Sequence, residues 1–260
     1  MNTSLRELLI SYADRYETPS FIEGDPSWFM HQVVGRENQE VMAFIASALS
    51  YGSRKQFLPK IQLLLNASEG EPYEWVNLGK FSDIIPDTQQ CFYRLYTNHT
   101  MYVFLQALRQ ILIDYGSLGQ FAEDAMHKHN PKHKDAITVL TALSDYFWNQ
   151  GLKGIVPHPI SSLCKRPNMF LRWMVRNNSP VDLGLWTDII DKSSLIIPMD
   201  THVMQTARSF NLIKTKTASW ATTISLTRKL SEVFPGDPAR GDYALYGADI
   251  DKDLNDFAKE

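Results

Sequence analysis

A chain of 260 residues that is 44% hydrophobic and 12% aromatic has the length and apolar content to build a packed core, which excludes a disordered or fibrous protein. A net charge of −3 argues against a uniformly basic nucleic-acid coat protein, and two cysteines, Cys91 and Cys164, exclude a disulfide framework and a four-cysteine iron–sulfur cluster. No stretch approaches the roughly 20 apolar residues of a membrane span, and the first residues lack a basic-plus-apolar signal pattern, so a cytoplasmic protein is expected.

Helical spacing begins at once. Met1 to Tyr16 reads as an amphipathic helix with Leu5, Leu8, Leu9 and Tyr12 on one side. Three further apolar stripes follow: Val41, Phe44, Ile45, Ala48 and Leu49; then Leu58, Ile61, Leu64 and Leu65; then Val103, Leu105, Leu108, Ile111 and Leu112. A helix is predicted over about 134–149. The Gly- and Pro-marked stretch GLKGIVPHPISSLCKRP separates it from the helix NMFLRWMVRN. Helices around 184–191, 201–211, 217–233 and 239–257 complete the chain. Without an alternating strand pattern or a repeat, the fold class is all-α. A single domain over 1–260, with two helical lobes sharing a central cleft, is expected, and the loops around Ala67 to Pro72 and Gly151 to Pro159 are the candidate lobe boundaries.

Charge is unevenly spread. Tyr146 to Val181 contains no Asp or Glu, although 29 acids in 260 residues would put about four in a window of that size. The same window holds Lys153, Lys165, Arg166, Arg172 and Arg176, so it reads either as a solvated face or as a phosphate-binding strip on an acidic body. Pro167 suits the first turn of a helix, which places Lys165 and Arg166 in the turn just before it. Helix starts attract anions, and Arg172 and Arg176, four residues apart, share a face.

In LIIPMDTHV, Asp200 has two readings. Asp is a preferred N-cap, which is reason enough for its place at a helix start. It also follows an apolar run fit for burial, so its carboxylate emerges from the core into a confined place, where desolvation perturbs a carboxyl and favours a chemical role.

These segments carry a resemblance. IPMDTHV, Ile197 to Val203, resembles the signature of the helix-hairpin-helix DNA glycosylase superfamily, and GDYALYGADI, Gly241 to Ile250, is similar to the closing helix motif of that superfamily. With DPSWFMH, FIASALSYGSRKQF and CKRPNMFLRWMVR, the chain as a whole resembles an uncharacterised bacterial family distantly related to those glycosylases. The resemblance implies a glycosylase-like core over about 134–250, with Asp200 as the catalytic aspartate and Lys165 as the nucleophile. The order Lys165, Arg172, Asp200 is similar to that of an archaeal subgroup of 8-oxoguanine glycosylases. It further implies DNA contacts from Lys153, Ser161, Ser162, Arg166, Arg172 and Arg176, and a base pocket near Tyr51, Gly52, Ser53 and Arg54.

The pattern departs from the superfamily in two places: the basic residue usual soon after the aspartate is missing near Gln205, with Arg208 the nearest substitute, and the hairpin differs. The hairpin Gly-x-Gly is missing from PISSLCKRPN, leaving Ser161, Ser162 and the lysine. The implied activity is excision of a damaged base, an oxidised purine among the candidates, with abasic-site cleavage through a lysine Schiff base. The expected partner is double-stranded DNA carrying a damaged base, the expected state a monomer, with no cofactor and no metal. A non-catalytic DNA-binding protein of the same fold and a helical protein-interaction module stand as alternatives.

Overall fold

The structure is a computed structural model and describes residues 3–129 and 134–251. The apolar stripes become buried helix faces. Helix α1 (Thr3–Tyr16) buries Leu9, Tyr12 and Ala13, and α2 (Arg36–Leu49) buries every residue from Glu40 to Leu49. Helices α3 (Arg54–Ala67) and α4 (Pro72–Asn77) lead into a short antiparallel hairpin, β1 (Cys91–Tyr93) and β2 (Tyr96–Thr97). Helix α5 (Asn98–Tyr115) starts at Thr97, whose side chain accepts from the Thr100 N–H, the N-cap interaction that satisfies a free donor of the first turn. Then come α6 (Leu118–His129), α7 (Ala136–Asn149), α8 (Lys165–Val175), α9 (Thr201–Ser209), α10 (Trp220–Val233) and α11 (Gly241–Asp251). The fold is all-α, the hairpin being its only sheet among the described residues. None of the described helices is long and apolar enough to cross a membrane.

Two hydrophobic cores organise these helices. The larger is built from Phe29 to Leu195 with Ala239 added from the end of the chain, and centres on Phe44, whose ring meets Phe104, Phe147 and Phe170 at 5.7, 5.2 and 5.1 Å. Within it the buried Glu40 is fully partnered. It accepts from Trp186 Nε1 at 2.8 Å, from the Gly119 N–H at 3.0 Å and from Arg36 Nε at 3.2 Å. That satisfaction is what makes a buried carboxylate tolerable.

The smaller core joins the two ends of the chain. Leu9, Tyr12 and Ala13 of α1 pack with Ile197, Met199 and the buried faces of α9, α10 and α11. Gly247 permits the close approach of α11 to α1, because a Cβ there would enter the Tyr16 ring. The lobes therefore do not divide at Ala67 to Pro72 or Gly151 to Pro159. The chain changes cores between Leu195 and Ile197, and α1 crosses back to close the second core.

The helix expected over 184–191 is absent. Gly184 adopts φ +66°, and the Leu183, Gly184 and Trp186 N–H groups donate to the Trp173 and Met174 carbonyls at the end of α8, so the segment folds as turns that cap that helix. The expected extension of the last helix over 252–257 lies outside the described residues.

Candidate active site between the two cores

The buried run Leu195 to Met199 delivers Asp200 to the start of α9. Its backbone is extended, and Oδ1 accepts from the Val203 N–H at 2.9 Å, so Asp200 is an N-cap. Its other oxygen, Oδ2, accepts from Lys165 Nζ at 2.6 Å. Lys165 is the first residue of α8, one position later than the left-handed Cys164, φ +53°. Two helix starts, one from each core, thus converge on one ion pair. Burial alone would raise the Asp200 carboxyl, but the Lys165 ammonium and the Val203 N–H outweigh it and hold the group below the usual carboxylate range.

Further charges surround this pair. Burial pushes the Asp242 carboxyl up to about 6 against the opposing charges of Arg172 and Lys165, with the negative charges of Asp200 and Asp25 adding to the rise. Asp25 accepts from Ser27 N–H and Oγ at 3.0 and 2.7 Å, and its Oδ2 lies 3.3 Å from Arg54 Nη2. Arg54 Nη1 in turn donates to the Tyr246 hydroxyl of α11 at 3.2 Å. Asp25 also borders a groove of about 400 Å³ walled by Trp28, Phe29, Leu58 and Pro59. Burial drives the Cys164 thiol up to about 12, which keeps it in the inert neutral form.

Arg172 and Arg176 do not form a surface strip. Each is 2% exposed. Arg172 Nε lies 3.2 Å from Asp182 Oδ1, Nη1 pairs with Asp242, and the guanidinium stacks 4.5 Å from the Tyr243 ring centre. Arg176 is clamped by Asp237 at 2.8 and 2.9 Å, by Glu17 at 2.8 Å and by Asp182. Acids from outside the acid-free window neutralise its two arginines, which face inward and tie α8 to α1 and α11. They are unavailable to a DNA backbone.

The remaining sequence candidates divide. Arg166, which with Lys165 belongs to the first turn of α8, donates to Ala48 O, Tyr96 Oη and Gly154 O at 2.9, 2.6 and 2.8 Å, and so fastens α8 to the end of α2, to the hairpin and to the loop at Gly154. Arg166 and Arg172 thus both point away from the Lys165 amine, whose direct partner is a carboxylate. Lys153 is exposed, its ammonium 5.0 Å from the Trp148 ring centre. Ser161 is exposed, while Ser162 Oγ accepts from the Cys164 N–H at 3.1 Å and helps set the start of α8.

Tyr51, Gly52, Ser53 and Arg54 form an exposed corner that runs into the start of α3. Only Arg54 joins the charged group around Asp200. Trp173 is fully buried and so is not available to stack on a base. Asp25 and Asp242 escape sequence reasoning as site residues, although each lies in a quoted motif: one caps the Pro26–His31 turn in DPSWFMH, the other opens α11 in GDYALYGADI.

No curated protein and no solved structure matches the chain significantly. The family described as Protein of unknown function (DUF2400) matches residues 25–251, a span that starts at Asp25 and contains Lys165, Asp200 and Asp242. Because that match covers nearly the whole chain, the protein belongs to the DUF2400 family.

Proposed function

We propose that the protein is a DNA glycosylase that releases a damaged base and cleaves the resulting abasic site through a Schiff base on Lys165. The observation that carries this reading is the 2.6 Å contact between Lys165 Nζ and Asp200 Oδ2 where the two cores meet. As a structural staple the pair is a poor investment. Its side chains are 41% and 28% exposed, and ion pairs of that exposure contribute about 0–1 kcal/mol. The buried Arg172 and Arg176 network already ties α8 to the other core, through Asp242 of α11 and through Glu17 and Asp237. An amine and a carboxylate left reachable from solvent beside it suit chemistry better than cohesion.

In this reading the target nucleotide is flipped out of the duplex toward the pair. The C1′–N bond breaks with its electron pair leaving on the base, and the Asp200 carboxylate stabilises the positive charge developing at the sugar. The Lys165 ammonium gives its proton to the departing base, and the free amine forms the new bond to C1′ while Asp200 stays ionised. The sugar ring then opens, O4′ taking the proton that the nitrogen loses, to give the Schiff base; β-elimination, in which a base removes a C2′ proton as the 3′ phosphate leaves, cuts the strand. The chemistry needs no metal.

Borohydride trapping tests the reading directly. A duplex panel carrying single lesions, oxidised purines first, is incubated with wild type, Lys165→Gln and Lys153→Gln under borohydride. A covalent adduct in wild type and Lys153→Gln, absent in Lys165→Gln and mapped to Lys165 by mass spectrometry, is the expected result. Absence of adduct and of base release on every lesion, with DNA binding intact, would return the pair to a structural role.

A further inference from the structure

The hairpin between α4 and α5 turns through Arg94 and Leu95. Such two-residue turns favour Gly, Asn or Asp, because a positive φ strains a residue that carries a Cβ. Here the first turn residue is Arg94 at φ +49°, and the second, Leu95, is 78% exposed. The chain accepts an unfavourable turn and sets an apolar side chain in water at its tip.

The mount beneath the tip is rigid. Phe92, Tyr93 and Tyr96 are buried. The Tyr93 hydroxyl donates to Tyr51 O, and the Tyr96 hydroxyl donates to Gly154 O at 3.0 Å while accepting from Arg166 at 2.6 Å. Arg166 adjoins Lys165, so the tip is braced against the same helix start that presents the amine. Cations ring it. The Arg94 guanidinium lies 5.0 Å from the Tyr51 ring centre, over Gly52, where a Cβ would collide with it, and the Lys60 ammonium lies 4.9 Å from the Phe92 ring centre. Neither Arg94 nor Lys60 forms an ion pair with a carboxylate among the described residues.

The geometry points to this tip as a wedge for duplex DNA, with Leu95 entering the stack beside the flipped nucleotide and Arg94 and Lys60 on the flanking phosphates. The inference rests on the glycosylase reading above and adds how the duplex is opened. Removing a base from the stack leaves an apolar gap, and an exposed aliphatic side chain gains by filling it. Its transfer from water helps to offset the unstacking cost. Cations at its flanks supply the matching charge for a polyanion.

The test uses the full chain and a short duplex with a single 2-aminopurine beside an abasic analogue. Fluorescence reports unstacking, and anisotropy reports affinity. Wild type binds and brightens the probe. Leu95→Ala, at an exposed turn and so without cost to the core, binds within about threefold of wild type but loses about fivefold or more of the brightening. Arg94→Gln weakens binding and lowers the salt slope by about one.

A Leu95→Ala protein that brightens the probe as wild type does overturns the wedge and leaves the glycosylase reading standing, as does a wild type that binds without brightening. Equal loss of affinity for duplex and single strand in Leu95→Ala also overturns it, since Leu95 would then be an ordinary contact. Failure of wild type to bind DNA at low salt removes both readings together.

Discussion

Arg176 Nε and Nη2 meet the two carboxylate oxygens of Asp237 at 2.8 and 2.9 Å, a side-by-side geometry that only a guanidinium supplies. Asp182 and Glu17 complete the shell around the same side chain. Arg176→Met keeps much of the volume but removes the cation that these carboxylates share, leaving Asp182 to Arg172, Glu17 to Arg240 and Asp237 to Lys192 at 3.8 Å. The expected loss is about 3–5 kcal/mol, the range for breaking one side of a buried pair. Denaturant unfolding of both proteins measures it. A change below about 1 kcal/mol, typical of exposed pairs, would show that the network is not what joins the cores.

Gly247 allows the closest approach in the smaller core. Its missing Cβ is replaced by the Tyr16 ring, which is itself fixed by the bond from its hydroxyl to Asp251. Gly247→Ala gains helix propensity but overpacks this contact, and a net destabilisation of about 1–3 kcal/mol is expected. Truncating the ring in the double variant Tyr16→Ala, Gly247→Ala should recover part of the loss relative to Tyr16→Ala alone. A stabilised single variant contradicts the packing described here.

Asp242 and Asp200 titrate in opposite directions. Asp242 is raised to about 6 in the folded chain, against about 3.9 for an unperturbed Asp. Its contribution to stability is therefore fully present below about pH 3.9 and is lost as pH rises through about 6. Asp200 is depressed, so its contribution is present above the unfolded value and is lost as pH falls through the lower folded one. Asp242→Asn imitates the protonated form. Thermal midpoints across pH 4 to 7 should show the variant gaining on wild type as pH rises. A difference that stays constant over that interval would rule out the perturbed titration.

What the sequence shows and what it hides follow from range. The stripes of α2 and α5 are legible because helical burial repeats locally, every three or four residues. Lys165 and Asp200 each stand out locally, but their pairing is legible only through resemblance, since nothing local says that residues 35 apart will touch. The acid-free window misleads for the same reason. Asp182, one residue past the window, claims both arginines, and their other acids arrive from Asp237 and Asp242, separations of 61 and 70, and from Glu17 near the start of the chain. A single window registers their absence as surplus charge. The hairpin is invisible for a different reason: its strands are three and two residues long, and its turn, Arg94-Leu95, lacks the residues that announce one.

Asp200 combines a structural and a chemical role in one carboxylate, and substitution separates them. Asn retains an oxygen able to cap the Val203 N–H, so Asp200→Asn preserves the start of α9. It loses the ion pair with Lys165, which at that exposure contributes about 0–1 kcal/mol. The thermal midpoint should therefore move little. Asp200→Ala loses the cap as well, at a further cost of about 1 kcal/mol. Catalysis divides the variants differently. Both lack the negative charge opposite the developing cation, and both should lose about a hundredfold or more in excision rate on whichever lesion wild type processes. The diagnostic variant is Asn, stable and inactive where Ala is destabilised and inactive. An Asn variant that folds like wild type and excises at the wild-type rate would leave Asp200 as a helix cap and nothing more.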